Sequence, residues 1–234
     1  MRLTSALVLL AALSTLPAPA FAAEAVLAPV IALHEGQRYS PKSGVLREAV
    51  DLCSNPVTSA VMEIPCSEYN VQGGVGVAER AIYLMAVSPD VTAGVAGLSC
   101  GIDYEAAEFA GVDVFGYWIC ADAEVTGGWP AAGTGNRITW DPVTNCQRAT
   151  VGAEGVHALA AVFYVYAYGD GVFEVTGNPD TPDSEMVVID CVGVEHPQLA
   201  PAAQVGFGAS PGLNPCLADV PVVPTTWSRI KQRY

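Results

Sequence analysis

The run Val95-Ala96-Gly97-Leu98-Ser99-Cys100-Gly101-Ile102-Asp103-Tyr104 constrains the fold more than any other stretch, because its side chains alternate without a break. Ala96, Leu98, Cys100, Ile102 and Tyr104 share one parity, and Gly97, Ser99, Gly101 and Asp103 share the other. Successive side chains of a strand point to opposite faces, so the run reads as a half-buried β-strand with an apolar inner face. Ala81 to Ser88, Val112 to Cys120, Arg137 to Trp140, Val156 to Tyr168, Val172 to Thr176, Glu185 to Val194 and Val205 to Phe207 are strand-like too. Turn clusters separate them, among them Ser88-Pro89-Asp90, Gly127-Gly128-Trp129-Pro130 and Gly177-Asn178-Pro179-Asp180. Many short strands without helical stretches between them predict an all-β, antiparallel β-sandwich. Tyr168-Gly169-Asp170-Gly171 has the chemistry of a tight hairpin turn. Val156 to Tyr168 is apolar on both parities, as expected of a strand inside a sheet.

The seven cysteines, Cys53, Cys66, Cys100, Cys120, Cys146, Cys191 and Cys216, all follow a leader-like start. Met1-Arg2, an apolar run from Ala6 to Leu13 and the small-residue site Ala20-Phe21-Ala22 have the three regions of a signal peptide, residues 1–22. The rest is expected to be secreted, to the extracellular space, the cell surface or the periplasm, where disulfides are the default fate of cysteine. An odd count leaves one thiol over, and the parity of Cys100 places it on the buried face as a small hydrophobe. Six cysteines can pair in many ways; the simplest scheme joins neighbours, Cys53-Cys66, Cys120-Cys146 and Cys191-Cys216.

By composition the chain divides into an N-terminal extension with a short disulfide loop (23–79), a sandwich domain (80–216), a proline-rich spacer (217–224) and a basic aromatic tail (225–234). Within the extension, Val26 to His34 and Val57 to Ile64 read as strands and Leu46 to Leu52 as a helical turn. The formal charge of −14 opposes binding to nucleic acid. After the leader no apolar run is long enough to cross a membrane as a helix, so no transmembrane segment is expected.

Candidate functional residues fall into four groups. Tyr164, Tyr166 and Tyr168 share one strand face and, with Trp118 and Trp129, offer either an aromatic platform for a sugar or ordinary packing. Trp118, Trp129 and Trp140 flank the proposed Cys120-Cys146 bridge. In the tail, Trp227, Ile230, Lys231 and Tyr234 fall at helical spacing beside Arg229, giving a docking tag for an acidic surface or a turn that folds back on its own domain. Carboxylates thicken at Asp103, Glu105 and Glu108, and again at Asp180, Asp183 and Glu185, where a calcium loop competes with a solvated turn.

The chemistry that remains is sparse. Gly208-Ala209-Ser210-Pro211-Gly212 spells a nucleophile elbow, but Pro211 opposes the helix it needs and no histidine follows Ser210. His34, His157 and His196 lack the spacing of a zinc site. No catalytic, metal or cofactor signature emerges, so no cofactor is expected and the chain reads as a non-enzyme.

The stretch Gly94–Tyr104, Val114-Phe115-Gly116-Tyr117-Trp118-Ile119-Cys120, Val162–Ala167 and the tail motif Thr226-Trp227-Ser228-Arg229-Ile230-Lys231 resemble a group of secreted bacterial β-sandwich proteins without an established activity. The succession of a strand, a Gly94-Val95-Ala96-Gly97 turn and a strand ending in Asp103-Tyr104 is similar to cohesin-like sandwiches. That resemblance implies a cohesin-like or immunoglobulin-like fold that binds protein partners without catalysis. The expected function is a non-catalytic extracellular or cell-surface module for protein binding or self-assembly. A carbohydrate-binding module, with a glycan as partner, and a carboxylate-dependent hydrolase are the alternatives.

Overall fold

The computed structural model describes residues 28–37, 53–105 and 107–217. They form an all-β sandwich of two sheets. Sheet A has four antiparallel strands in the order β1 (Val30–Gln37), β3 (Gly76–Ser88), β8 (Val156–Ala167), β5 (Val112–Ile119). Sheet B is eight-stranded and is centred on β4 (Gly97–Tyr104). One edge of β4 pairs with β7 (Thr134–Thr139), which pairs with β6 (Ala123–Thr126).

Along the other edge of β4 lie β9 (Gly171–Thr176) and β10 (Val187–Ile189), with Thr176 opposite Gly101 and Ile189 opposite Gly97. They are two parts of one strand line, interrupted by residues 177–186. Beyond β10 lies β11 (Glu195–Pro197), and beyond β9 lies β12 (Gln204–Phe207), which runs parallel to β2 (Gln72–Gly73).

The predicted parity of the organising strand holds. Leu98, Cys100 and Ile102 face the space between the sheets, packed with Ile138, Phe173, Val175 and Phe207 of sheet B and Ile31, Leu33, Ile82, Leu84 and Phe163 of sheet A. Among the described residues Cys100 is the free cysteine, and it is fully buried. The strand is nevertheless not half-buried, because residues 177–186 return over its other face. Asn178 Nδ2 donates to Ser99 Oγ at 2.9 Å and to the Asn136 carbonyl at 3.3 Å. A Cβ on Gly101 would lie 2.6 Å from the Gly177 carbonyl oxygen, so only glycine admits this covering loop.

As expected for an internal strand, β8 lies between β3 and β5. Its register slips between Leu84 and Met85, whose partners are Ala161 and Leu159. The extra residue, Ala160, turns inward beside Ala161, while Leu159, Val162 and Tyr164 face out.

That outer face of sheet A carries a second core. Val30, Ala32, Tyr83, Met85, Leu159 and Val162 are covered by Val61, Cys66 and Tyr69. Val61 belongs to α1 (Pro56–Met62), where a strand is predicted from Val57 to Ile64. Asn55 Oδ1 accepts from the N–H groups of Val57 and Thr58, both at 3.0 Å, and Pro56 takes the first helical turn. The pair Asn55-Pro56 is thus a helix start.

Three expectations fail because the order of segments along the chain does not show which of them the two sheets bring together. The disulfides are Cys53–Cys120, Cys66–Cys216 and Cys146–Cys191, not Cys53-Cys66, Cys120-Cys146 and Cys191-Cys216. Cys53 and Cys66 stand on opposite sides of α1, and each reaches a cysteine that the stacking of the sheets brings near. Tyr168–Gly171 is not a hairpin, because β8 belongs to sheet A and β9 to sheet B. Nor does the sandwich begin at residue 80: β1 is an edge strand of sheet A and β3 starts at Gly76. The leader 1–22, the helical turn at Leu46 to Leu52, the spacer from 218 onward and the tail 225–234 lie outside the described residues.

Candidate functional site: an aromatic edge on sheet A

Among the described residues, the covering layer of 53–70 does not extend over the part of the outer face on the side of β5. The sequence of β5, Val-Asp-Val-Phe-Gly-Tyr-Trp-Ile, points alternate residues in and out, with a register slip between Val114 and Gly116. Val112 and Val114 face the core before the slip, and Tyr117 and Ile119 after it. Asp113, Phe115 and Trp118 face out.

Phe115 is 46% exposed and Trp118 50% exposed. Phe115 stacks on Tyr166 with ring centroids 4.6 Å apart and also meets Tyr164 at 5.9 Å. Tyr166 meets Tyr168 at 5.9 Å, and Tyr168 meets Phe109, itself 68% exposed, at 5.6 Å. Five rings from two strands and the β4–β5 connection thus form one continuous ladder. Its polar fastenings are carboxylates: the Tyr166 hydroxyl donates to Glu79 Oε1 at 2.8 Å, and the Phe109 N–H donates to Asp113 Oδ2 at 3.3 Å.

Of the predicted surface residues, Tyr164, Tyr166 and Trp118 share this face, although Tyr164 is largely buried beneath Phe115. Trp129 does not belong to it. Its ring is 6% exposed, meets Phe163 at 5.2 Å and Tyr117 at 6.1 Å, and donates Nε1–H to the Thr134 carbonyl at 3.2 Å. Trp140 is also interior and donates to the Cys120 carbonyl at 3.0 Å. Sequence reasoning missed Phe115, which lies at the slip in β5, and Phe109, which sits in a turn at positive φ of 58°.

The imidazoles have structural partners. His34 and His157 pack against Tyr69 from either side, with centroids at 5.4 and 6.0 Å. His34 Nδ1 accepts the Asn70 N–H at 3.0 Å, and the Tyr69 hydroxyl lies 3.0 Å from His157 Nδ1. Burial holds both histidines below their usual pKa, partly opposed at His157 by Glu154. His196 Nε2 pairs with Asp190 Oδ2 at 2.9 Å. Ser210 closes a turn after β12, with its N–H on the Phe207 carbonyl, and is not part of an elbow.

A cleft of about 370 Å³ on sheet B is lined by Asp122, Asp141, Asp190, Arg137 and Trp140. Its carboxylates hold turns: Asp122 accepts from the Asp141 N–H at 2.7 Å, Asp141 from Val143 and Thr144, and Asp190 from Val192 and Val194. Hydrogen bonds from the Thr144 and Val143 N–H groups keep Asp141 below the usual carboxylate range. At Asp190 burial opposes ionisation, but His196 and the backbone donors outweigh it. Arg137 is paired with Glu195 at 2.7 Å. Among the described residues no group of three or more His, Cys, Asp or Glu side chains is placed to hold a metal ion, the Asp180–Glu185 turn included.

No protein-family model matches the chain, and no curated protein matches it. Among solved structures, a cohesin module from a Clostridium perfringens ATCC13124 family 33 glycoside hydrolase superposes with a TM-score of 0.38 and 10% identity, over 59% of this chain and 91% of that one. At that level of similarity nothing about binding passes from that module to this chain.

Proposed function

We propose that the protein is an exported, non-catalytic binding module whose contact surface is the aromatic edge of sheet A and whose partner is another protein, a second copy included. The observation that carries this is the continuous run of exposed and half-exposed rings, Phe109, Tyr168, Tyr166 and Phe115, with Trp118 beside it on an edge strand. Aromatic side chains supply large contact area at low entropic cost, and contiguous exposed apolar surface on a folded domain marks interaction. Export accords with three disulfides, which persist in oxidising compartments. Among the described residues no helix is long and apolar enough to cross a membrane.

The sugar-binding alternative needs open ring faces. Here Phe115 and Tyr166 stack on each other at an interplanar angle of 28°, which occupies one face of each ring. The hydrolase alternative needs a carboxyl kept protonated near neutral pH to serve as general acid. In the sheet B cleft Asp141 and Asp190 are instead held ionised by the donors that organise their turns.

The test is a photo-crosslinking amino acid placed in the full chain at Phe115 and, as control, at Val143, which is 89% exposed on the other sheet's loops. Adducts formed from position 115 and not from 143, with other copies or with an added partner, are the expected result. Equal labelling at both positions would sink the proposal.

A further inference from the structure

We infer that residues 53–70 form a proton-operated cap: protonation of His34 and His157 releases the segment from the outer face of sheet A while the sandwich beneath stays folded. The device lies on the covered side of that face and is independent of the aromatic edge.

Cap and sandwich are separable. Val61, Cys66 and Tyr69 pack into the cluster on the outer face, and no residue of 53–70 enters the cluster between the sheets. Lifting the segment therefore leaves the inter-sheet core intact. It stays attached through Cys53–Cys120 and Cys66–Cys216, so that release is reversible.

Two imidazoles hold the cap closed, one from β1 and one from β8, with the Tyr69 ring between them. His34 Nδ1 accepts the Asn70 N–H at 3.0 Å, which fixes that nitrogen as the unprotonated one. A proton there removes the acceptor and sets one N–H against another. His157 is fully buried, with Nδ1 against the Tyr69 hydroxyl, and among the described residues its Nε2 has no hydrogen-bond partner. An imidazolium at that place would be a charge taken out of water, which is costly.

The surroundings offer it little compensation. The rings facing His34 are Tyr69 and Tyr83; beside it Asn70 Nδ2 donates to Glu35 Oε2 at 2.7 Å, and Glu35 is paired in turn with Arg80 at 3.1 Å. Tyr69 and Glu154 face His157, with Glu154 Oε2 at 3.8 Å from Nε2. Burial holds both tyrosines above their usual pKa, so neither supplies a negative charge near neutrality. Glu154 does favour a charged His157, but the same carboxylate accepts the N–H groups of Cys66 and Ser67 and is committed to the closed cap. Burial outweighs it and keeps both imidazoles below their usual 6.5. Above pH 6.5 the rings are neutral in both states. Below it the released state takes up protons that the closed state refuses, and the balance moves toward release.

The test compares the full chain at pH 7.5 and 5.5 by amide exchange, read as protection factors so that the intrinsic pH dependence is divided out, and by binding of a hydrophobic dye. Protection of α1, Tyr69 and Asn70 is expected to fall roughly tenfold, through an opening that depends weakly on added urea. The amides of Leu98–Ile102 should instead open through the strongly urea-dependent global transition. Dye fluorescence should rise in acid, as Tyr83, Met85, Leu159 and Val162 are uncovered, and return to its starting level at pH 7.5. His34→Gln combined with His157→Gln should abolish the tenfold change.

Cap amides that exchange only together with Leu98–Ile102, at the same urea dependence, would overturn the inference, because the cap would then open only with the whole fold. A pH dependence that survives the double substitution would overturn it too. So would dye binding by the unaltered protein that begins only below about pH 4.5, where carboxylates and not imidazoles titrate.

Discussion

The outer face of sheet A holds two regions built on the same strands that met opposite fates. On the β1 side, residues 53–70 lie across it, and Tyr83, Met85 and Val162 are buried beneath Val61, Cys66 and Tyr69. On the β5 side, Phe115 and Trp118 keep about half of their surface in solvent. The covered region ties down its polar groups: Asn70 serves both His34 and Glu35, and Glu154 accepts from the N–H groups of Cys66 and Ser67. In the bare region aromatic rings pack mainly on one another. Burial against the same chain makes stability; the same kind of surface left uncovered is available for recognition.

The largest effect should come from emptying the covered region. Tyr83→Ala removes a ring that is 1% exposed, and is expected to cost about 3–5 kcal/mol in chemical denaturation, as for other large core truncations. The loss of Cys66–Cys216, which spans 150 residues, comes next: Cys66→Ala with Cys216→Ala should cost about 2–5 kcal/mol. That variant should also bind a hydrophobic dye on the newly loosened outer face; unchanged stability would show that the layer docks without its bridge.

Acidification should act on the covered region before the rest. Burial lowers the pKa of His34 and of His157 from 6.5, so the unfolded chain takes up these protons more readily than the folded one. Their contribution to stability is therefore complete above pH 6.5 and shrinks as pH falls below it. The groups facing them are Tyr69 and Tyr83 at His34, and Tyr69 and Glu154 at His157; of these, Glu154 is the one that opposes the loss at His157. A fall in Tm of about 4 °C between pH 7.5 and 5.5 is expected, corresponding to ~1–2 kcal/mol for a chain of this size. His157→Gln should flatten that slope, and a slope unchanged by His157→Gln and His34→Gln together would refute the assignment.

The smallest stability effect belongs to the β5 side. Phe115→Ser removes a half-exposed ring with two ring contacts and should cost about 1–2 kcal/mol, less than either change in the covered region, while abolishing capture of the partner. A large destabilisation instead would mean that the ladder is a third piece of core, and the contrast between the two regions would collapse.

Much of this fold was legible along the chain, and the exceptions have identifiable causes. The inward set Leu98, Cys100 and Ile102 follows from alternation alone, because a strand has only two faces and one of them is apolar. The same alternation did not show that Gly97, Ser99 and Gly101 would be covered, since that depends on a loop some eighty residues later folding back over them. α1 was hidden because seven residues are too few to display a helical period, and its clearest sign, Asn55 before Pro56, also serves in turns. In the candidate site, Tyr164 and Tyr166 came from strand parity and Trp118 from its place near Cys120; the register slip turns Trp118 to the face that Phe115 shares, and the packing of its turn carries Trp129 into the core.

What the sequence determined by itself was local and parity-based: strands in these places, a buried Cys100, and one thiol left over from an odd number of cysteines. Only the tertiary structure decided which cysteines meet, which turns cross between sheets and which aromatic rings remain in solvent. The cause is physical. Alternation fixes which side of a strand is apolar, but a disulfide joins residues separated by 45 to 150 positions, and exposure depends on what another segment lays over that side.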